Sequence, residues 1–149
     1  MSKSTITYWN PLLPAEQHRW RWIEGLEGQV EELILSHDPS SGEITRLTRF
    51  LPGADTTPFG AKAHTFPEEI FIVSGRLHDA AFGIWLEAGH YASRPPGELH
   101  GPFRSDEGCV VLDVSFPQRN EEAHHLPCSG SVDSPRPSAS DRNLPTAAP

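Results

Sequence analysis

The apolar run Ile70-Phe71-Ile72-Val73 is the length of a strand, rich in β-branched residues, and closed by Glu68-Glu69 on one side and Gly75 on the other. An unbroken run of that length predicts a strand covered on both faces. The rest of the body has the same grain. Val30 to His37 and Glu43 to Leu51 flank Asp38-Pro39-Ser40-Ser41-Gly42, a connector whose Pro, Ser and Gly chemistry suits a hairpin. Glu69 to Ser74 and Arg76 to Phe82 read as two strands with a tight turn at Gly75, and Tyr91 to Arg94 and Cys109 to Phe116 complete the set. Glu16 to Glu27 has helix-forming residues, but Trp20-Arg21-Trp22-Ile23 alternates and then meets Gly25 and Gly28, so a strand is predicted there too. Short strands at regular spacing make this an all-β chain, a sandwich or a barrel.

With 149 residues, 36% of them hydrophobic, the chain has room for one domain with a real core. We place a barrel at 30–118, an N-terminal strand or arm packing on it at 1–29, and a Pro/Ser-rich tail at 119–149. From about Ser129 the sequence has almost no large apolar residues to offset its ordering entropy, so the tail is expected to be disordered. The net charge of −8 repels phosphate backbones and anionic lipid, which excludes nucleic acid and membrane surfaces as expected partners. The N-terminus lacks a continuous apolar signal segment and no run approaches the roughly 18 apolar residues of a membrane span. A cytoplasmic protein is expected. Cys109 sits in an apolar strand and Cys128 in a polar segment, so no disulfide framework is indicated; Cys109 reads as a small core residue.

The polar residues that interrupt this pattern converge. Lys62 and His64 are two apart and share a face of an extended strand. Pro67 cannot donate to a ladder, which makes 65–67 a turn or bulge able to re-aim Glu68 toward the same interior. Pro95-Pro96-Gly97 fixes the approach to His100 from a neighbouring strand. Two neutral imidazoles and one carboxylate with open positions are the donor set of non-haem Fe(II) oxygen chemistry, and the same set takes zinc, nickel or manganese. The alternative is that His64 and His100 are ordinary hydrogen-bonded residues in a barrel mouth.

Other polar and aromatic residues have weaker claims. Arg46, Arg49 and Arg94 are candidates for holding a substrate carboxylate, and only those that alternate inward can do so. Trp85 and Tyr91 are expected in the core, or else as pocket walls. His90 reads as a surface turn residue, His78-Asp79 as lining a barrel end or equally as an exposed strand end, and His124-His125 as part of the polar tail.

The spacings His64-x3-Glu68-x6-Gly75 and Gly89-x5-Pro95-x-Gly97-x2-His100, in that order, resemble the two motifs of the cupins, with Lys62 where the first motif has a further histidine. The six-residue gap to Gly75 in that motif selects Glu68 over Glu69. Thr48-Arg49-Phe50-Leu51-Pro52-Gly53, the run from Glu68 to Gly75, that from Arg94 to His100, and Phe103-Arg104-Ser105-Asp106-Glu107-Gly108-Cys109 are similar to the ChrR-like cupin branch. The resemblance covers about residues 30–116. It implies a double-stranded β-helix, the cupin or jelly-roll barrel, in a homodimer, with a divalent metal on His64, Glu68 and His100.

Cupins of this kind include dioxygenases that cleave acetylacetone or dihydroxyacetophenone, and regulatory modules without turnover. The resemblance thus implies a metal-dependent dioxygenase acting on a small diketone or hydroxyketone, with a ligand-binding or sensor module as the other reading. The ChrR-like branch is named for the C-terminal half of an anti-sigma factor, whose helical zinc-binding segment ahead of the cupin has no counterpart in the short N-terminal region, which lowers the anti-sigma form of the sensor reading. Lys62 and Glu68 are the candidate catalytic residues. An ammonium beside a divalent cation is repulsive, so Lys62 must be neutral, snorkel out of the pocket, or pair with Glu68 in the cation's place.

Overall fold

The computed structural model describes residue 6 and residues 8–117. The expected tail, with Cys128, His124 and His125, lies outside them. The described chain is built almost wholly of strands: β1 (Arg21–Trp22), β2 (Val30–His37), β3 (Ile44–Phe50), β4 (Ala54–Asp55), β5 (Glu68–Asp79), β6 (Ile84–Glu87), β7 (Tyr91–Arg94), β8 (Phe103–Ser105) and β9 (Cys109–Ser115). Short 3₁₀ helices at Pro14–Arg19 and Thr57–Phe59 are the only helical pieces among the described residues, and none could cross a membrane. The pairing order is β1-β2-β3-β9-β5-β8-β4, with β6 and β7 also on β5, and every pairing is antiparallel.

β5 joins the two halves of this curled sheet. Its first half lies between β9 and β7, and its last residues lie between β6 and β8. The transition falls at a register shift between Ile72 and Ser74, where a bulge bends and twists the strand. The tight turn expected at Gly75 is therefore absent; Gly75 sits inside one continuous strand. It has φ 71°, and a Cβ there would lie 1.9 Å from the Gly108 carbonyl oxygen. Two backbones touch at this point, which only glycine allows.

Side-chain alternation then sorts the interior. On β9, Cys109, Val111, Asp113 and Ser115 are buried, while Val110, Leu112 and Val114 are only partly so. Val30, Phe50, Ile70, Ile72, Leu77, Leu86, Cys109 and Val111 form the inner core. Cys109 is 3% exposed, and burial pushes its thiol up to about 12, so it packs as a small apolar residue.

The opposite face of the sheet carries a register row Leu33, Leu47, Leu112, Phe71 and Tyr91. Trp20 buries Leu33 and Leu47, with Trp9 packed against the same cluster. The Arg49 guanidinium lies 4.0 Å from the centroid of Trp20 and donates to Glu31 and Gln17, clamping this cover in place. The cover stops short of β5. Phe71 is 43% and Val73 37% exposed, so the run that predicted a strand covered on both faces has one open face.

The N-terminal region also departs from expectation. Pro14 starts a 3₁₀ helix in place of the predicted strand, and only Arg21–Trp22 remains extended before Leu26 N–H closes a turn on Ile23. A two-residue alternation is too short to distinguish from chance. β4, β6 and β8 are missed for the same reason.

The close approach at Gly75 predicts a contrast with Gly83, which has φ 64° but nothing within 4 Å of a Cβ. In denaturant titrations Gly83→Ala should cost about 1–3 kcal/mol, the usual scale of a residue held in a sparsely populated backbone region, and Gly75→Ala distinctly more or no folded protein. Equal losses would show that Gly75 is needed only for its φ.

Candidate metal centre

His64, Glu68 and His100 meet at one end of a cavity of about 250 Å³ between the two halves of the sheet. One donor atom from each lies within 4.8 Å of the other two. Glu68 opens β5, where strand alternation turns its side chain inward beside Ile70. His64 and His100 come from the chain before β5 and the chain before β8. Lys62 and His100 exchange both backbone hydrogen bonds at 2.9 Å, and Gly97 N–H donates to the His64 carbonyl at 2.8 Å. That small bridge sets the imidazoles 4.9 Å apart between centroids, with His64 Nε2 at 3.7 Å from Glu68 Oε1.

Each donor is held from behind. His100 Nδ1 lies 3.2 Å from the Glu98 carbonyl, an acceptor only, so Nδ1 carries the proton and Nε2 presents its lone pair. Burial, and then the Arg94 guanidinium, push the His100 imidazole below its ordinary value of 6.5 and favour this neutral form. Arg94, paired with Glu68 across β5 and β7, donates from Nη1 to Glu68 Oε2 at 2.8 Å. Glu68 therefore keeps Oε1 for the histidine side. Asp79 anchors Arg94 in turn, with Oδ2 at 3.9 Å from Nη2, and its Oδ1 accepts from the N–H of Gly101, next to His100, at 2.9 Å.

A second polar group lines the same cavity, on the neighbouring strands β3 and β9. Arg46 Nε donates to both Asp113 oxygens, at 2.8 and 2.9 Å, and Nη1 donates to Glu32 at 2.9 Å. Thr48 Oγ1 donates to Asp113 Oδ2 at 2.9 Å. Burial raises the Asp113 carboxyl above its ordinary value even against the pull of Arg46. Leu26, Val30, Phe50, Ile70, Phe103 and Val111 line the space between.

Of the three arginines read as carboxylate holders, Arg46 and Arg94 face the cavity and Arg49 faces the outer cover. Both inward arginines are already engaged by carboxylates. Lys62 is exposed at the cavity mouth, its Nζ 5.9 Å from the Phe59 ring centroid. Arg94, and not Lys62, sits on Glu68. Tyr91, 59% exposed, and Trp85, 38% exposed, under the Arg76 guanidinium and tilted against the His78 ring, belong neither to the core nor to the cavity wall. His90 closes a surface turn with Glu87, as its place beside Gly89 suggested. Asp79, Asp113 and Thr48 were missed as site residues. The parity of β9 carried a signal: with Cys109 inward, Asp113 must be inward too.

The lowered His100 value fixes a pH dependence. Its stability contribution is fully present above 6.5, the unfolded value, and is lost as pH falls through the lower folded one, because the unfolded chain then binds the extra proton. Melting temperatures of metal-free wild type should drop across this window, and His100→Gln should flatten the drop. Parallel curves for the two proteins would remove His100 as the cause.

Solved structures of similar fold include an RmlC-like cupin from Shewanella frigidimarina NCIMB 400, at TM-score 0.59 and 20% identity over 80% of this chain and 96% of that one. KdgF from Halomonas sp. gives 0.55 and 22%, covering 73% and 94%. An acetylacetone dioxygenase from Acinetobacter johnsonii gives 0.59 and 17%, covering 76% of each chain. Such identities show a common fold, the cupin barrel that the sequence resemblance implied. No curated protein matches the chain. The model of the ChrR cupin-like domain matches residues 13–117, and the chain belongs to that family.

Proposed function

We propose that this cupin holds a divalent metal, Fe(II) in preference to zinc, nickel or manganese, between His64, Glu68 and His100, and acts as a dioxygenase on a small diketone or hydroxyketone. The donor set carries the metal reading: His64, Glu68 and His100 each offer one atom within 4.8 Å of the other two, on the lining of a largely apolar cavity. The carboxylate supplies charge and the neutral imidazoles supply lone pairs, the mixture of donors that a first-row divalent cation takes.

When bound, the metal supplies a Lewis acid for ketone or enolate oxygens and a centre for dioxygen chemistry. The residues do the rest. Arg94 directs Glu68 Oε1 toward the histidines, and the Glu98 carbonyl keeps the proton off His100 Nε2. Apolar walls exclude water, and a cavity of about 250 Å³ limits the substrate to a small molecule. Lys62, at the mouth, is placed to meet an anionic substrate oxygen or to act with Glu68 in moving a proton. Acetylacetone, named for one protein of similar fold, is the first compound to try.

A ligand-binding module without turnover is the second reading. It is favoured by the two cations near the triad, Arg94 on Glu68 and Lys62 at the mouth, since each weakens metal affinity. We also expect a homodimer, formed over the uncovered apolar row at Phe71 and Tyr91.

Metal analysis separates these cases. His100→Ala should lose bound metal, and Lys62→His should gain about tenfold or more in affinity by exchanging a cation for a neutral donor. If Lys62 acts in turnover, the same variant should bind more metal yet consume less oxygen with diketones and hydroxyketones. Equal metal in wild type and His100→Ala would remove His100 from the ligands. No oxygen uptake by either fully loaded protein would move the assignment to the ligand-binding module. For the dimer, light scattering should give twice the chain mass, and Tyr91→Arg should give the monomer.

A further inference from the structure

The geometry points to a second binding centre in the same cavity, in which Thr48 and Asp113 accept a hydrogen bond from a hydroxyl or ammonium group on the ligand. Toward one end of the barrel the next inward positions on these strands are apolar, Phe50 on β3 and Val111 on β9, and toward the other Ser115 follows Asp113. A buried ion pair contributes no more to stability than well-packed apolar side chains would, so the need for strand cohesion does not explain Arg46 and Asp113. Asp113 is 4% exposed and Thr48 7%, yet both line the cavity.

Hydrogen-bond directions decide what this wall can recognise. The Asp113 carboxylate only accepts, so the one proton of the Thr48 hydroxyl is spent on Oδ2. Thr48 then has only lone pairs left for a ligand. Asp113, with about four lone-pair sites, has capacity beyond its bonds to Arg46 and Thr48. Arg46 is drawn to Asp113 on one side and Glu32 on the other. Thr48 and Asp113 thus offer acceptors. A carbonyl set against these two side chains would face lone pairs; a hydroxyl or ammonium donates to them.

Register sets the ligand's length. Asp113 is opposite Ile70 and Glu68 opposite Ser115, so Asp113 and Glu68 are diagonal neighbours, roughly 7–8 Å apart by the usual spacing. A short ketone spans that gap, with its carbonyl oxygen toward the triad and its donor toward Asp113. The orientation of the carbonyl rests on the proposed metal; the donor site does not. Among small ketones, the class selected is hydroxy- or aminoketones over diketones.

Hydroxyacetone, aminoacetone and butanone have the same number of heavy atoms and differ only at the end group. Their affinities can be read by ligand-observed NMR titration of the metal-loaded and metal-free protein. Wild type should bind one or both donor-ended ketones about tenfold more tightly than butanone, the scale of one buried hydrogen bond and its desolvation. The preference should persist without metal, where chelation by the hydroxyl plays no part. Asp113→Asn and Thr48→Val should each reduce it at least threefold, with metal content unchanged by chelator assay. Thr48→Val keeps the test open should Asp113→Asn fail to fold. Tighter binding of hydroxyacetone than of aminoacetone assigns the donor as a hydroxyl, and the reverse as an ammonium. Equal affinity for all three ketones, or a preference untouched by both variants or seen only with metal, would overturn the inference. Loss of metal binding by wild type alone would overturn the metal site and leave this one standing.

Discussion

One guanidinium holds both ends of the longest strand. Fully extended, the 12 residues of β5 would separate Glu68 from Asp79 by roughly 36 Å at the usual rise of about 3.3 Å per residue. Yet Arg94 reaches both, Glu68 at 2.8 Å and Asp79 at 3.9 Å. The strand must curl to make this possible, and the bulge after Ile72 and the backbone contact at Gly75 are where it does so. With the three side chains buried, removing the arginine would strand two carboxylates away from water, at a cost on the order of 3–5 kcal/mol. Barrel closure and carboxylate orientation are thus one problem with one solution.

That solution shapes the chemistry. An arginine on Oε2 makes Glu68 a one-oxygen donor toward the histidines and sets a fixed positive charge beside it. Cation affinity is therefore a compromise between that carboxylate oxygen and the guanidinium close by. The same interior contains the Arg46–Asp113 pair on the neighbouring strands, so the cavity carries two polar groups amid apolar side chains. Such a space favours ligands with two polar ends over wholly apolar ones.

The sequence made the main strands readable wherever alternation ran long enough. β2, β3, β7 and β9 lie where their apolar periods and flanking turn residues put them. β4, β6 and β8, of two to four residues, were not visible because so short a stretch has no period; β7, equally short, was legible from the Gly89 and Pro95-Pro96-Gly97 turns that bound it, and β5 was split because a glycine inside a strand looks the same as a glycine between two. His64, Glu68 and His100 come together as their spacing suggested. Their supports were less legible. Arg94 and Arg46 were noted as ion holders, but which carboxylates they meet depends on cross-strand register, and Asp79 looked like a strand end because its distant partner could not be seen.

The bridge between Lys62 and His100 lies outside every named strand and, together with the Gly97 bond to the His64 carbonyl, consists of three hydrogen bonds. Around it, β5 and β9 share a seven-position register. Breaking the bridge separates the segment bearing His64 from the one bearing His100 without disturbing that ladder. The entrance is therefore a cooperative unit of its own, able to open at far less free energy than the barrel. Its amides would exchange with solvent hydrogen well before those of the ladder, and the rate of that opening sets an upper limit on how fast anything larger than the resting mouth can come and go.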